Sequence, residues 1–181
     1  PVVFSKYPSC ISGPFDQVDL RATQGDYEAE LVVAIGRTTR DVAAEDSWSY
    51  VAGLMVGQDI SDRELQLGAR PPQFGLGKSR DTYGPIGPVL VSPDSFADPD
   101  NLGITCDVNG ERRQDARTSS LIFDVSFLVS YLSSVLTLVP GDLIFTGTPA
   151  GVGMADGRFL KPGDVVMTSI EGIGTMKNVC Q

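Results

Sequence analysis

Two glutamates, Glu28 and Glu30, stand two residues apart in the run Asp26 to Gly36, DYEAELVVAIG, whose other side chains are mostly apolar. On a strand that spacing puts both on one face, about 6.6 Å apart in rise, so their carboxylates can converge on one ion. A third carboxylate, Asp59, ends a second apolar run, Tyr50 to Gln58. Clustered carboxylates repel one another, and a bound divalent cation relieves the repulsion. The chain has no histidine, so all-oxygen ligation selects a hard ion: Mg2+, Mn2+ or Ca2+. A strand with one solvated face alternates in the same way, and the pattern alone leaves both readings open.

Arg63 and Gln66 follow Asp59 at a spacing of three, on a helix face that points back toward it. Arg offers a planar fork suited to a carboxylate, and Gln both donates and accepts; a solvated helix would look the same. Gly75-Leu76-Gly77-Lys78-Ser79 has Pro72 where a phosphate loop needs glycine. It is no phosphate loop, but Lys78, directly after Gly77, can bring an ammonium to an anion. Leu143 to Thr146 then runs into Gly147-Thr148-Pro149-Ala150-Gly151-Val152-Gly153. A strand feeding such a loop lets backbone N–H groups and the Thr148 hydroxyl approach a carboxylate or a developing oxyanion. A structural turn is the plainer alternative.

Other chemistries are excluded by composition. Without histidine there is no Ser-His-Asp or Cys-His set and no His-containing zinc site. A formal charge of −9 disfavours nucleic acid. Cys10, Cys106 and Cys180 have no paired spacing, which suits a reducing cytoplasm. The longest uncharged apolar run, Val125 to Val139, is too short for a membrane span and reads as a core helix.

The elements that must position these residues follow from periodicity. Asp26 to Gly36 and Tyr50 to Gln58 read as buried strands, with a short helix over Val42 to Ser49 between them. Ser61 and Glu64 fit a capping box, opening a helix that stops at Gly68. Pro and Gly dominate Arg70 to Gly87, which reads as a loop. Asn109-Gly110 joins two strands, Leu102 to Asn109 and Glu111 to Arg117, as a hairpin. The motif around Pro140-Gly141-Asp142 recurs at Pro162-Gly163-Asp164, two type II turns entering strands in Leu143 to Val179. The expectation is a β-rich α+β domain.

Taken together, six segments in order resemble the fumarylacetoacetate hydrolase family: DYEAELVVAIG, YVAGLMVGQDISDRELQ, GLGKSRDTYGPIGP, VNGERRQ, LVPGDLIFTGTPAGVG, and LKPGDVV with EGIG. The likeness extends from the FSKYPS segment at Phe4 to Val179. It implies a mixed β-sandwich roll with a few short helices, a single catalytic domain over residues 1–181, and a homodimer. It implies Mg2+ or Mn2+, with Ca2+ in some members, held by Glu28, Glu30 and Asp59. Arg63, Gln66, Lys78, Gly147 and Thr148 become substrate contacts, with Lys78 and Thr148 catalytic. The implied reaction is C–C hydrolysis of an acylpyruvate or related 2-oxo acid through a metal-stabilised enolate. Relatives of the same family decarboxylate oxaloacetate or isomerise and hydrate dienoates, and an idle member is a further alternative. Hydrolytic members carry a His in a segment upstream of the region matching Phe4. This chain has no His, so that lid segment is expected to be missing from it.

Overall fold

In the computed structural model, which describes residues 1–181, the strands follow the apolar runs. In chain order they are β1 (Ile11–Ser12), β2 (Gly25–Asp26), β3 (Ala29–Ile35), β4 (Val51–Gln58), β5 (Ser61–Asp62) and β6 (Gly84–Val91). After these come β7 (Gly103–Val108), β8 (Glu111–Arg117), β9 (Leu143–Phe145), β10 (Val165–Ile170) and β11 (Gly174–Val179). The helices are short: α1 (Arg63–Leu67), α2 (Phe74–Gly77) and α3 (Val125–Val135).

One sheet runs β1-β6-β4-β3-β9, parallel only between β1 and β6. The other runs β11-β10-β7-β8, antiparallel throughout, and β2 with β5 makes a small ribbon. The two large sheets enclose one core of Leu31, Val33, Leu54, Val56, Ile104, Val166, Met176 and their neighbours. This is the mixed β-sandwich roll that the sequence led us to expect. Every residue of β3 is buried, as the apolar run Leu31 to Ile35 demands of a strand covered on both faces.

The Asn109-Gly110 hairpin forms as read, with both turn residues at positive φ (52° and 82°), the twist a two-residue hairpin needs. Gly141 and Gly163 adopt φ of 94° and 93° in the two echoed turns.

Four boundaries differ from the sequence reading. Asp62, not Ser61, caps α1 by accepting the Leu65 N–H at 3.0 Å; Ser61 is held in β5, and its hydroxyl donates to the Asp59 carbonyl. The segment before β4 is a 3-10 helix over Ala44–Tyr50. Helix α3 stops at Val135, because Leu138 leaves it to pair with Thr39. Within Arg70 to Gly87, helix α2 and the start of β6 replace a featureless loop. Pro85 and Pro88 hid that strand, although β1 and β4 flank it.

Candidate metal centre

The antiparallel register of β3 on β4 sets Ala29 opposite Gln58, so the residue leaving β4, Asp59, arrives level with Glu28. The Asp59 N–H donates to the Glu28 carbonyl at 2.9 Å and locks that level. Glu30 lies one strand repeat further along the same face. As a result Glu28, Glu30 and Asp59, all buried, each bring one carboxylate oxygen within 4.8 Å of the others.

Two buried glutamines hold this stretch from behind. Gln58 Oε1 accepts the Glu28 N–H at 2.9 Å, and its Nε2 donates to Thr168 Oγ1 at 2.8 Å across the core. Gln114, on β8, accepts the Ala29 N–H at 3.0 Å and donates to Thr148 Oγ1 at 2.8 Å and to the Pro149 carbonyl at 2.9 Å. The loop after β9 then lies along β3: Thr146 and Thr148 hydroxyls donate to the Leu31 and Ala29 carbonyls, both at 2.9 Å. Buried polar groups must be paired in this way, and the pairing fixes where the carboxylates point.

Three cations face the trio. Lys78 Nζ lies 2.7 Å from both Glu28 Oε2 and Asp59 Oδ2. Lys6 Nζ, from the N-terminal strap, is 2.7 Å from Asp59 Oδ1 and also donates to the carbonyls of Lys78 and Tyr83. Arg63 Nη2 is 2.6 Å from Glu28 Oε1. Glu30 has no cation within ion-pair distance; its Oε2 accepts the Gly147 N–H at 2.8 Å. Burial, together with the charges of Asp59 and Glu28, pushes the Glu30 carboxyl well above the ordinary range, against the pull of Lys78 and the Gly147 N–H. Burial works against charge on Lys78, but Asp59, Glu28 and Glu30 outweigh it and hold the ammonium protonated.

A cavity of about 1380 Å³ opens over these groups. The trio, Lys6, Gln66, Lys78, Gly147 and Thr148 form its polar end, and Ile104, Leu121, Leu132 and Phe145 are among its apolar walls. Gln66 Oε1 accepts from Arg63 Nη1 at 2.9 Å, leaving its amide N–H groups as donors into the cavity. Arg63 itself lies behind Glu28 and does not line the cavity. The Thr148 hydroxyl reaches the wall but is engaged on both sides, by Ala29 and Gln114.

Donor chemistry fits a hard divalent ion. Three carboxylates are brought together in a buried place, and one of them is left without a cation and resists ionising alone. Sequence reasoning gave Lys6, Asp26, Gln58 and Gln114 no role. Lys6 and Asp26 stand inside segments quoted above, FSKYPS and DYEAEL, but an isolated Lys or a strand-opening Asp carries no periodic signal. The glutamines look like ordinary strand residues until the opposite sheet is in place.

The family model for the fumarylacetoacetate (FAA) hydrolase C-terminal domain matches residues 1–181. Oxaloacetate tautomerase FAHD2B, mitochondrial, of Bos taurus is 44% identical over 98% of this chain and 58% of its own. The 2-hydroxyhepta-2,4-diene-1,7-dioate isomerase of Mycobacterium marinum superposes with a TM-score of 0.91 at 41% identity, over 99% of this chain and 68% of the other. Fumarylpyruvate hydrolase of Pseudomonas aeruginosa, solved in complex with Mn2+ and pyruvate, superposes at 0.88 with 33% identity, over 98% and 77%. The chain spans about three-fifths of the length of the curated relatives it matches.

Proposed function

The chain belongs to the fumarylacetoacetate hydrolase family, a family of enzymes, and from that premise we propose a divalent-metal-dependent enzyme that acts on a small 2-oxo acid through its enolate. The observation that carries this reading is the convergence of Glu28, Glu30 and Asp59 beneath one cavity. These three would hold Mg2+ or Mn2+, with Ca2+ as the third candidate. When bound there, such an ion supplies Lewis-acid polarisation of the 2-oxo group.

The charge inventory favours an anionic substrate. Four buried carboxylates, Asp26, Glu28, Glu30 and Asp59, face three cations, Lys6, Arg63 and Lys78. With a divalent ion bound and all four carboxylates ionised, the site carries an excess of one positive charge, which a monocarboxylate neutralises. Lys78 stands where negative charge gathers as an enolate forms, already charged and already oriented, so it needs no reorganisation. The Gln66 amide donates to a substrate oxygen. Gly147 and Thr148 shape the wall against which the substrate carboxylate rests, with Gly147 also fixing Glu30.

Cleavage of a C–C bond in an acylpyruvate is the net reaction we put first, since it releases the enolate that the site is built to receive. A second reading is keto–enol or double-bond isomerisation. It is favoured by the polar end of the cavity, which offers carboxylates, ammoniums and amides but no imidazole to activate water. We further propose that the enzyme is a homodimer and works in a reducing compartment such as the cytoplasm, with neither nucleic acid nor membrane as partner. Exposed Ile122, Val135 and Val139 support the first, and three free, buried cysteines the second. No helix is long and apolar enough to cross a membrane.

The test compares acetylpyruvate cleavage with oxaloacetate tautomerisation in chelator-treated protein before and after adding Mg2+ or Mn2+. One of the two should vanish on chelation and return with metal. Glu28→Ala and Asp59→Ala should each lose more than the 10–100-fold typical of outer-shell changes. Full turnover of either substrate by metal-free protein, or an unchanged kcat in both variants, contradicts the reading.

A further inference from the structure

Asp26 is a fourth buried carboxylate beside the trio, and the chemistry above gives it no task beyond its charge. It is completely buried. Its Oδ1 accepts the N–H groups of Tyr27 at 2.9 Å and Gly153 at 2.6 Å. Its Oδ2 accepts the Met154 N–H at 3.0 Å and, from Arg63, Nε at 2.9 Å and Nη2 at 2.8 Å. A Cβ on residue 153 would stand 2.8 Å from Asp26 Oδ1 and 2.4 Å from the Arg158 carbonyl, so glycine is what lets the backbone close on this carboxylate.

Arg63 carries the consequence into the site. One edge of its guanidinium is taken by Asp26, while Nη2 also reaches Glu28 Oε1 at 2.6 Å and Nη1 reaches Gln66 Oε1. An Arg with only one carboxylate in reach closes on it with two parallel bonds. Such a grip on Glu28 would compete with a cation for the same oxygens and draw Gln66 along with it.

We infer that Asp26 is a positioning residue: it divides Arg63 between two carboxylates, so that Glu28 keeps its oxygens available for the cation and Gln66 keeps its amide aimed into the cavity. The inference rests on the metal reading above. Its anchorage to Gly153 and Met154 makes the same carboxylate the fixed point for the far end of the glycine-rich loop, so Arg63 cannot follow Glu28 without dragging that loop.

The experiment is a double-variant cycle read as Mn2+ affinity, from the free-ion electron paramagnetic resonance signal, with thermal melting alongside. Asp26→Asn should bind Mn2+ about 10–100-fold more weakly than the parent. In the Arg63→Gln background the same change should weaken binding no further, because the guanidinium it restrains is gone. A merely structural Asp26 would instead weaken binding by the same factor in both backgrounds, and that result, or unchanged affinity in Asp26→Asn, overturns the inference. The Arg63 Nε–H resonance gives a reading that needs no metal. It should exchange slowly in the parent and rapidly in Asp26→Asn, and equal exchange overturns the inference. A parent that takes up no Mn2+ while this contrast holds overturns the metal reading and leaves the Asp26 restraint on Arg63 standing. Should Asp26→Asn not fold, the parent alone decides. Nε–H protection that persists on Mn2+ loading supports the restraint by Asp26, and protection lost on loading overturns it.

Discussion

Lys78 illustrates what a single side chain does here and how it could be read beforehand. Its ammonium bridges Glu28 and Asp59, although a lysine after a glycine in a Pro- and Gly-rich stretch reads as surface until burial is known. Removing it separates two effects. Lys78→Met removes one of the two cations that each carboxylate meets, Arg63 staying on Glu28 and Lys6 on Asp59, so Mn2+ should bind no more weakly than to the parent. Oxalate, which mimics an enolate, loses a charge-assisted partner and should bind about 10- to 100-fold more weakly, since a hydrogen bond to a charged group is worth about 1.5–3 kcal/mol. Calorimetric titration of oxalate into Mn2+-loaded protein measures this; equal affinity in variant and parent would remove Lys78 from that role. Glu28 and Glu30 were legible at this scale as neighbours on one strand face, because a two-residue alternation is a strand signal, but the alternation alone did not separate a metal site from a solvated face. Asp26, Gln58 and Gln114 were not, since their partners are 37, 110 and 85 residues away.

At the scale of elements, β3 and β4 were legible because each is long, apolar and bounded by glycine or acid. Strand β6 was not, because proline lacks the N–H of a ladder and argues against a strand. The segment after the glycine-rich loop is held by one long-range ion pair and one local one. Asp156 meets Arg113 at 2.9 Å and Arg158 at 2.8 Å, and Arg113 Nε donates at 2.7 Å to the Tyr27 hydroxyl, which itself donates to the Gly151 carbonyl. Hydrogen bonds from Arg158, with those from Arg113, hold the Asp156 carboxyl at about 2, below its ordinary 3.8. A depressed acid of this kind contributes stability that is fully present above pH 3.8 and is lost as pH falls through about 2. A carbon-13 titration of the Asp156 carboxyl should give a midpoint near 2, whereas one near 3.8 would show that the ion pairs do not hold in solution.

The whole molecule presents one face with no internal partner. Ile122, Val135, Leu136 and Val139 are exposed around helix α3, beside the stacked rings of Phe123, Phe127 and Tyr131. Large apolar side chains exposed together along one helix mark association, and a second copy of the chain is the occupant we propose. Val135→Asp should shift sedimentation from dimer to monomer at micromolar concentration, while a parent that sediments as a monomer would refute the proposal. The sheet order was beyond the reach of the sequence, since periodicity assigns strands but not neighbours. It is nonetheless this order, β4 beside β3 and β8 across the core, that turns three separated acids into one site. Anomalous diffraction from a crystal soaked in Mn2+ tests that claim most directly. A single strong peak should lie about 2.1 Å from one oxygen each of Glu28, Glu30 and Asp59, the distance of a hard ion of magnesium's size. A cavity without a peak there, or manganese bound only elsewhere on the surface, would contradict it.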